Sequence, residues 1–205
     1  MKKLILFDFD GVLFNSKKNM ELSWQEVMKK FLIKKKFYQY KKHIGLPFKK
    51  ILSKLNIKNN QSNIEDFYQR KSIEYLDYIK PYPNVLNKIK NYDSSRFLIG
   101  IWTSKHRSRV NKILMKYNLK FDLIIAPKNG IRGKPYPDQV IKCLKSLNIS
   151  NKNVFFIGDM KIDKEAAKKS KINFIFASYG FGKINDKNLK KLNNFKNVYK
   201  IVERS

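Results

Sequence analysis

The chain has 205 residues, 42% of them hydrophobic, enough to bury a core in one domain with an insertion or in two small domains. Cys143 is the single cysteine, which excludes an internal disulfide and points to a reducing, cytoplasmic compartment. The formal net charge is +29, but the lysines are scattered along the whole chain and outnumber arginine, so the charge is read as a compositional habit that draws in anionic substrates, and nucleic acid is not expected as a partner.

Met1-Lys2-Lys3 ahead of Leu4-Ile5-Leu6-Phe7 has the look of a secretory leader. Asp8 and Asp10 interrupt the apolar run too early for one, and no later run approaches the ~18 residues that span a bilayer. The same run predicts a buried strand over about residues 3–9, of the kind found in a parallel sheet covered on both faces. In such sheets ligands bind outside the carboxyl ends of the strands. Alternate residues of an extended strand point the same way, so Asp8 and Asp10 are expected to converge. Two converging carboxylates repel unless a cation or shared proton relieves them, and an all-oxygen site suits Mg²⁺.

From about residue 15 to 79 the periodicity turns helical. Met20, Trp24, Val27, Met28, Phe31 and Leu32 recur at helical spacing. A second helix is predicted from Pro47, with Phe48, Ile51, Leu52 and Leu55 on its apolar face. A third carries Ile64, Phe67, Tyr68, Tyr75, Tyr78 and Ile79. Pro81-Tyr82-Pro83 marks the exit, because the residue before a proline is pushed away from helix. Strands and helices then alternate. Helices are predicted at 84–90, 107–117, 137–147 and 164–170, and strands at 97–102, 123–126, 154–157 and 173–177. Such alternation means βα units, right-handed crossovers and a parallel sheet. The tail after Gly182 predicts a peripheral helix and a short strand at 198–201, and Cys143 is placed in the core beside Val140, Leu144 and Leu147.

Three later segments reinforce the acidic strand end. Phe97 to Trp102 leads into Thr103-Ser104-Lys105, Gly133-Lys134-Pro135-Tyr136-Pro137 sets a lysine before a rigid turn, and Val154 to Ile157 leads into Gly158-Asp159-Met160-Lys161-Ile162-Asp163. In this order, the four motifs resemble those of the haloacid dehalogenase superfamily of phosphotransferases, and the match runs to about Gly182. The resemblance is greatest to phosphoglycolate-phosphatase-like and beta-phosphoglucomutase-like members. It implies an α/β fold with a Rossmann-like, three-layer core at 1–14 and 81–205, and a helical cap of the C1 type at 15–80.

The resemblance implies a Mg²⁺-dependent phosphomonoesterase acting on a small phosphorylated metabolite through an aspartyl-phosphate. Asp8 would be the nucleophile, and Asp10 the acid that protonates the leaving oxygen and then activates water. Mg²⁺ would lie between Asp8, the backbone carbonyl of Asp10, and Asp159, with Asp163 outside the ligand set orienting water or Lys134. Thr103, Ser104 and Lys134 would bind the phosphate, Lys105 would join them, and His43 in the cap is a candidate substrate contact. Relatives often carry asparagine where this chain has Ser104, and glycine where it has Asn84. A phosphomutase shares the chemistry, and an inert fold serving as a scaffold or nucleic-acid binder is a third class. Neither the substrate nor the oligomeric state is legible from the sequence.

Overall fold

A computed structural model describes residues 2–205. The first strand, β1, spans Lys3–Phe7. A two-residue strand β2 (Phe14–Asn15) opens a helical insert of α1 (Lys17–Lys30), α2 (Phe37–Lys41), α3 (Phe48–Lys54) and α4 (Gln61–Glu74). The insert closes at β3 (Lys80–Pro81), which pairs antiparallel with β2. Beyond it come α5 (Val85–Lys90), β4 (Phe97–Trp102), α6 (Arg107–Tyr117), β5 (Leu123–Ile125), α7 (Asp138–Leu147) and β6 (Val154–Gly158). The chain ends with α8 (Lys161–Ser170), β7 (Asn173–Ala177), β8 (Lys191–Leu192) and α9 (Val198–Glu203).

Six strands form one parallel sheet in the order β5-β4-β1-β6-β7-β8. Successive residues of β1 face opposite layers. Ile5 and Phe7 join Val85, Ile89, Val110, Ile113, Val198 and Val202 on the α5, α6 and α9 side. Leu4 and Leu6 join Val140, Leu144, Ala166 and Ala167 on the α7 and α8 side. Burial of both faces is why these strands read as unbroken apolar runs. The insert has its own core, built on Trp24, Val27, Tyr40, Leu52, Ile64 and Tyr68. No helix among the described residues is long and apolar enough to cross a membrane.

The structure departs from the sequence reading at several ends. Leu32 is 86% exposed, because α1 stops at Lys30 and the chain turns there with Leu32 at a left-handed φ of 52°. Helix α2 was not anticipated. Helix α8 begins three residues earlier than predicted, with Asp163 accepting the Met160 N–H at its first turn. Residues 198–201 are helical rather than extended. Val198 and Val202, one turn apart, both bury their side chains against the sheet. The edge strand is instead Lys191–Leu192. Cys143 is only half-buried, at the margin of the α7 layer.

Candidate active site

Strand order reverses at β1. The chain leaves β1 for β4 and β5 on one side, then crosses to β6, β7 and β8 on the other. Such a switch point opens a crevice at the carboxyl ends of the strands. Asp8 immediately follows β1, Thr103 follows β4, and Asp159 follows β6. The three neighbouring strands therefore deliver their first loop residues to one place.

Asp8, Asp159 and Asp163 are all buried, and one carboxylate oxygen from each lies within 4.8 Å of the others. Lys134, itself 1% exposed, donates to Asp8 Oδ1 at 2.8 Å and to Asp163 Oδ1 at 2.6 Å. The other Asp163 oxygen accepts the Met160 N–H at 3.0 Å, so both its oxygens are engaged. Asp159 differs. Its Oδ2 accepts the Phe181 N–H at 2.6 Å, but its buried Oδ1 has no hydrogen-bond partner. An orphaned carboxylate oxygen beside other carboxylates is the mark of a cation site. The chain is tightly packed around it. Gly11 sits at φ +92°, and a side chain there or at Gly180 would overlap the Asp159 carboxylate.

Burial pushes the Asp8 carboxyl up to about 7, against the opposing pull of Lys134. Burial, Asp163 and Asp8 together raise Asp159 well above the usual carboxylate range. Burial alone would lower Lys134; the flanking Asp163 and Asp8 overcome it and hold the amine above the ordinary lysine range.

Asp10 stands at the mouth of this cluster. It accepts from Ser16 Oγ at 2.5 Å and pairs with Lys105 at 3.1 Å. Lys105 is nearly fully buried, and burial followed by the repulsion of Arg109 pulls its amine down to about 8. Thr103 Oγ1 accepts the Lys105 N–H at 3.0 Å, which leaves its own hydroxyl proton free to donate elsewhere.

A cavity of about 60 Å³ opens over Asp8 and Asp10. Thr103, Ser104, Lys105 and Arg109 line its core side, and Tyr40, Ile44, Phe48 and Tyr68 of the insert roof it. The Ser104 hydroxyl donates to the Gly45 carbonyl at 2.7 Å, tying core to insert. The structure does not bring His43 here. It lies on an outer groove with Lys161, Ile162 and Lys183, away from the acids. His106 and Arg107 are exposed, bonding Ser108 Oγ and the Ile124 carbonyl. Arg109, Tyr40 and Tyr68 were missed. The signal for Arg109 was a basic residue on the buried stripe of α6, alongside Val110, Ile113 and Leu114.

The model of the haloacid dehalogenase-like hydrolases matches residues 5–177, a span that contains every one of these site residues. The chain belongs to that family. It is 29% identical over 187 residues to the phosphoglycolate phosphatase of Aquifex aeolicus, covering 89% of this chain and 88% of that one. It is 23% identical to the pyrophosphatase PpaX of Halalkalibacterium halodurans, covering 85% and 83% of the two chains. The fold of this hydrolase superposes on that of a predicted phosphatase from Clostridium acetobutylicum with a TM-score of 0.83, at 24% identity and across 100% of both chains.

Proposed function

We propose that this hydrolase is a Mg²⁺-dependent phosphatase that removes phosphate from a small phosphorylated metabolite by way of a phosphorylated Asp8. The observation that carries this reading is the convergence of Asp8, Asp159, Asp163 and Lys134 beside Thr103 at the strand switch point. Asp8 attacks phosphorus while the bond to the leaving oxygen breaks, and Asp10 gives that oxygen a proton. Asp10, again a carboxylate, then takes a proton from water as the water cleaves the acyl phosphate. The free hydroxyl proton of Thr103, the backbone N–H of Ser104, and Lys134 are placed to offset charge spread over the phosphoryl oxygens.

Asp8, Asp159 and the Asp10 carbonyl would hold Mg²⁺, and the orphaned Asp159 oxygen fits that role. Bound there, the ion supplies positive charge against the carboxylates and the substrate phosphate. Asp163 supports Lys134 instead, since both its oxygens are engaged.

The helical segment 15–80 serves as the cap, hinged at the β2–β3 pair. The insert residues Tyr40, Ile44, Phe48 and Tyr68 stand over the acids, so movement of the cap would gate the cavity, and a small substrate is favoured. The names of the relatives put phosphoglycolate and pyrophosphate among the candidates. The single, half-buried cysteine supports a reducing cytoplasmic setting.

The test is phosphate release from a panel of esters, with and without Mg²⁺, monitored alongside isomer formation. Mg²⁺-dependent release of inorganic phosphate is expected. Isomerisation without release would replace this reading with a phosphomutase, and inertness across the panel would defeat it.

A further inference from the structure

Both lysines of the site are paired with acids, Lys134 with Asp163 as well as Asp8, and Lys105 with Asp10. Arg109 lines the same cavity and is 7% exposed, yet it takes part in no ion pair among the described residues. Its recorded partners are neutral. One N–H donates to the Ser72 hydroxyl, and the guanidinium lies 5.4 Å from the centre of the Tyr68 ring. The Ser72 hydroxyl is in turn committed to Asn19 Oδ1 at 2.7 Å. Lys105 next to it adds like charge rather than relief. A buried guanidinium without a counter-ion is costly, and its planar fork is suited to a carboxylate or phosphate.

We infer that Arg109 is a specificity-determining residue whose guanidinium binds a second anionic group on the substrate, carboxylate or phosphate, close to the phosphate that is removed. This rests on the phosphatase reading of the cavity. The contacts of Arg109 are with Ser72 and Tyr68 of the insert, not with Asp8, Thr103 or Lys134, which separates it from the groups that face the reacting phosphate. Arg109 lines the same cavity as Asp8 and Asp10, so the two anions belong to one small molecule. Tyr40 and Tyr68, hydroxyl to hydroxyl at 3.1 Å, close the insert side and are held protonated by burial, so they add no competing negative charge.

The experiment compares phosphoglycolate with 2-hydroxyethyl phosphate, the same ester with its carboxylate replaced by an alcohol, and uses pyrophosphate as a third arm. The readout is the ratio of kcat/KM for each doubly anionic substrate to that for the alcohol ester. Arg109→Gln keeps a donor for Ser72 but removes the charge. It is expected to lower at least one of these ratios roughly ten- to a hundredfold, chiefly through KM, with Arg109→Lys recovering part of the loss. Whichever of the carboxylate and pyrophosphate ratios falls further names the second anion. Equal loss on all three compounds would show that Arg109 serves the reacting phosphate or the fold, and would overturn the inference, as would no change in either ratio. Binding of the same three compounds to Asp8→Asn and to Asp8→Asn/Arg109→Gln, measured by calorimetry, repeats the comparison without turnover. If the wild-type protein hydrolysed no ester, the phosphatase reading would fall, and the binding ratios would still decide whether Arg109 selects the anion.

Discussion

Core and insert contribute to the cavity in opposite ways. Every charged group that lines it, Asp8, Asp10, Lys105 and Arg109, comes from the core, at strand ends or on the helix that follows. The insert supplies Met20, Tyr40, Ile44, Leu46, Phe48, Ile51 and Tyr68, which are apolar or aromatic. Reactive charge needs fixed positions, and a parallel sheet whose strands are buried on both faces provides them. A roof that shapes the space needs only packed surface, and this one joins the core through the antiparallel β2–β3 pair. The division implies that chemistry should fail when the core is altered, while selection and closure should respond to the insert.

The largest effect is expected at the core. Asp8→Asn should lower kcat by at least roughly a thousandfold with the circular dichroism spectrum unchanged, because the amide keeps the shape and loses the nucleophile. Substantial Mg²⁺-dependent turnover by this variant would break the division at its root. Next comes Lys134→Met, which strands Asp8 and Asp163 without the cation they share. Denaturant melts of metal-free protein should show a loss of about 3–5 kcal/mol, narrowed by added Mg²⁺. A loss under 1 kcal/mol in the absence of metal would show that the acids do not depend on it.

The acids also set a pH dependence. Burial raises Asp8 from 3.8 to about 7 and raises Asp159 in the same direction. Between those limits the folded protein retains a proton that the unfolded chain has released. This contribution to stability is therefore present at low pH and lost as pH rises from about 4 toward 7. Thermal melts in EDTA across that interval should register the loss, and saturating Mg²⁺ should shrink it, because a bound cation favours the ionised form. The same slope with and without Mg²⁺ would contradict a cation site at these residues. The smallest effect belongs to the join between the two regions. Ser104→Ala removes one hydrogen bond from the core to Gly45 of the insert, and should cost about 1 kcal/mol and raise KM by up to roughly tenfold. A fall in kcat with KM unchanged would instead place Ser104 in the chemical step.

What the sequence disclosed follows the same division. Strands buried on both faces appear as apolar runs, and the acids that follow them appear as interruptions, so the sheet and the positions of Asp8 and Asp159 were legible, while Thr103 and Lys134 were read through the order of motifs that resembles the family's. Residues of the insert were less so. Helix α2 is five residues long and set among lysines, too short for periodicity to declare it, yet it brings Tyr40 to the cavity. Leu32 matched the apolar stripe of α1 but lies past its end. His43 was placed near the site by its loop, and the fold turns that loop so that Ile44, Gly45 and Leu46 line the cavity instead. Arg109 depends on a contact with Ser72, 37 residues away in the insert, which no local pattern encodes. At the tail, short apolar spacing fitted strand and helix alike until packing of Val198 and Val202 decided it.

The central claim is that Asp8 of the core carries the phosphoryl group during turnover. It is tested most directly by mixing the enzyme and Mg²⁺ with radiophosphorus-labelled phosphoglycolate or pyrophosphate, quenching in acid within a turnover, and mapping the label by proteolysis. Label on the peptide containing Asp8, released by hydroxylamine and absent from Asp8→Asn, is the predicted result. Turnover without covalent label, or label that persists in Asp8→Asn, would contradict it.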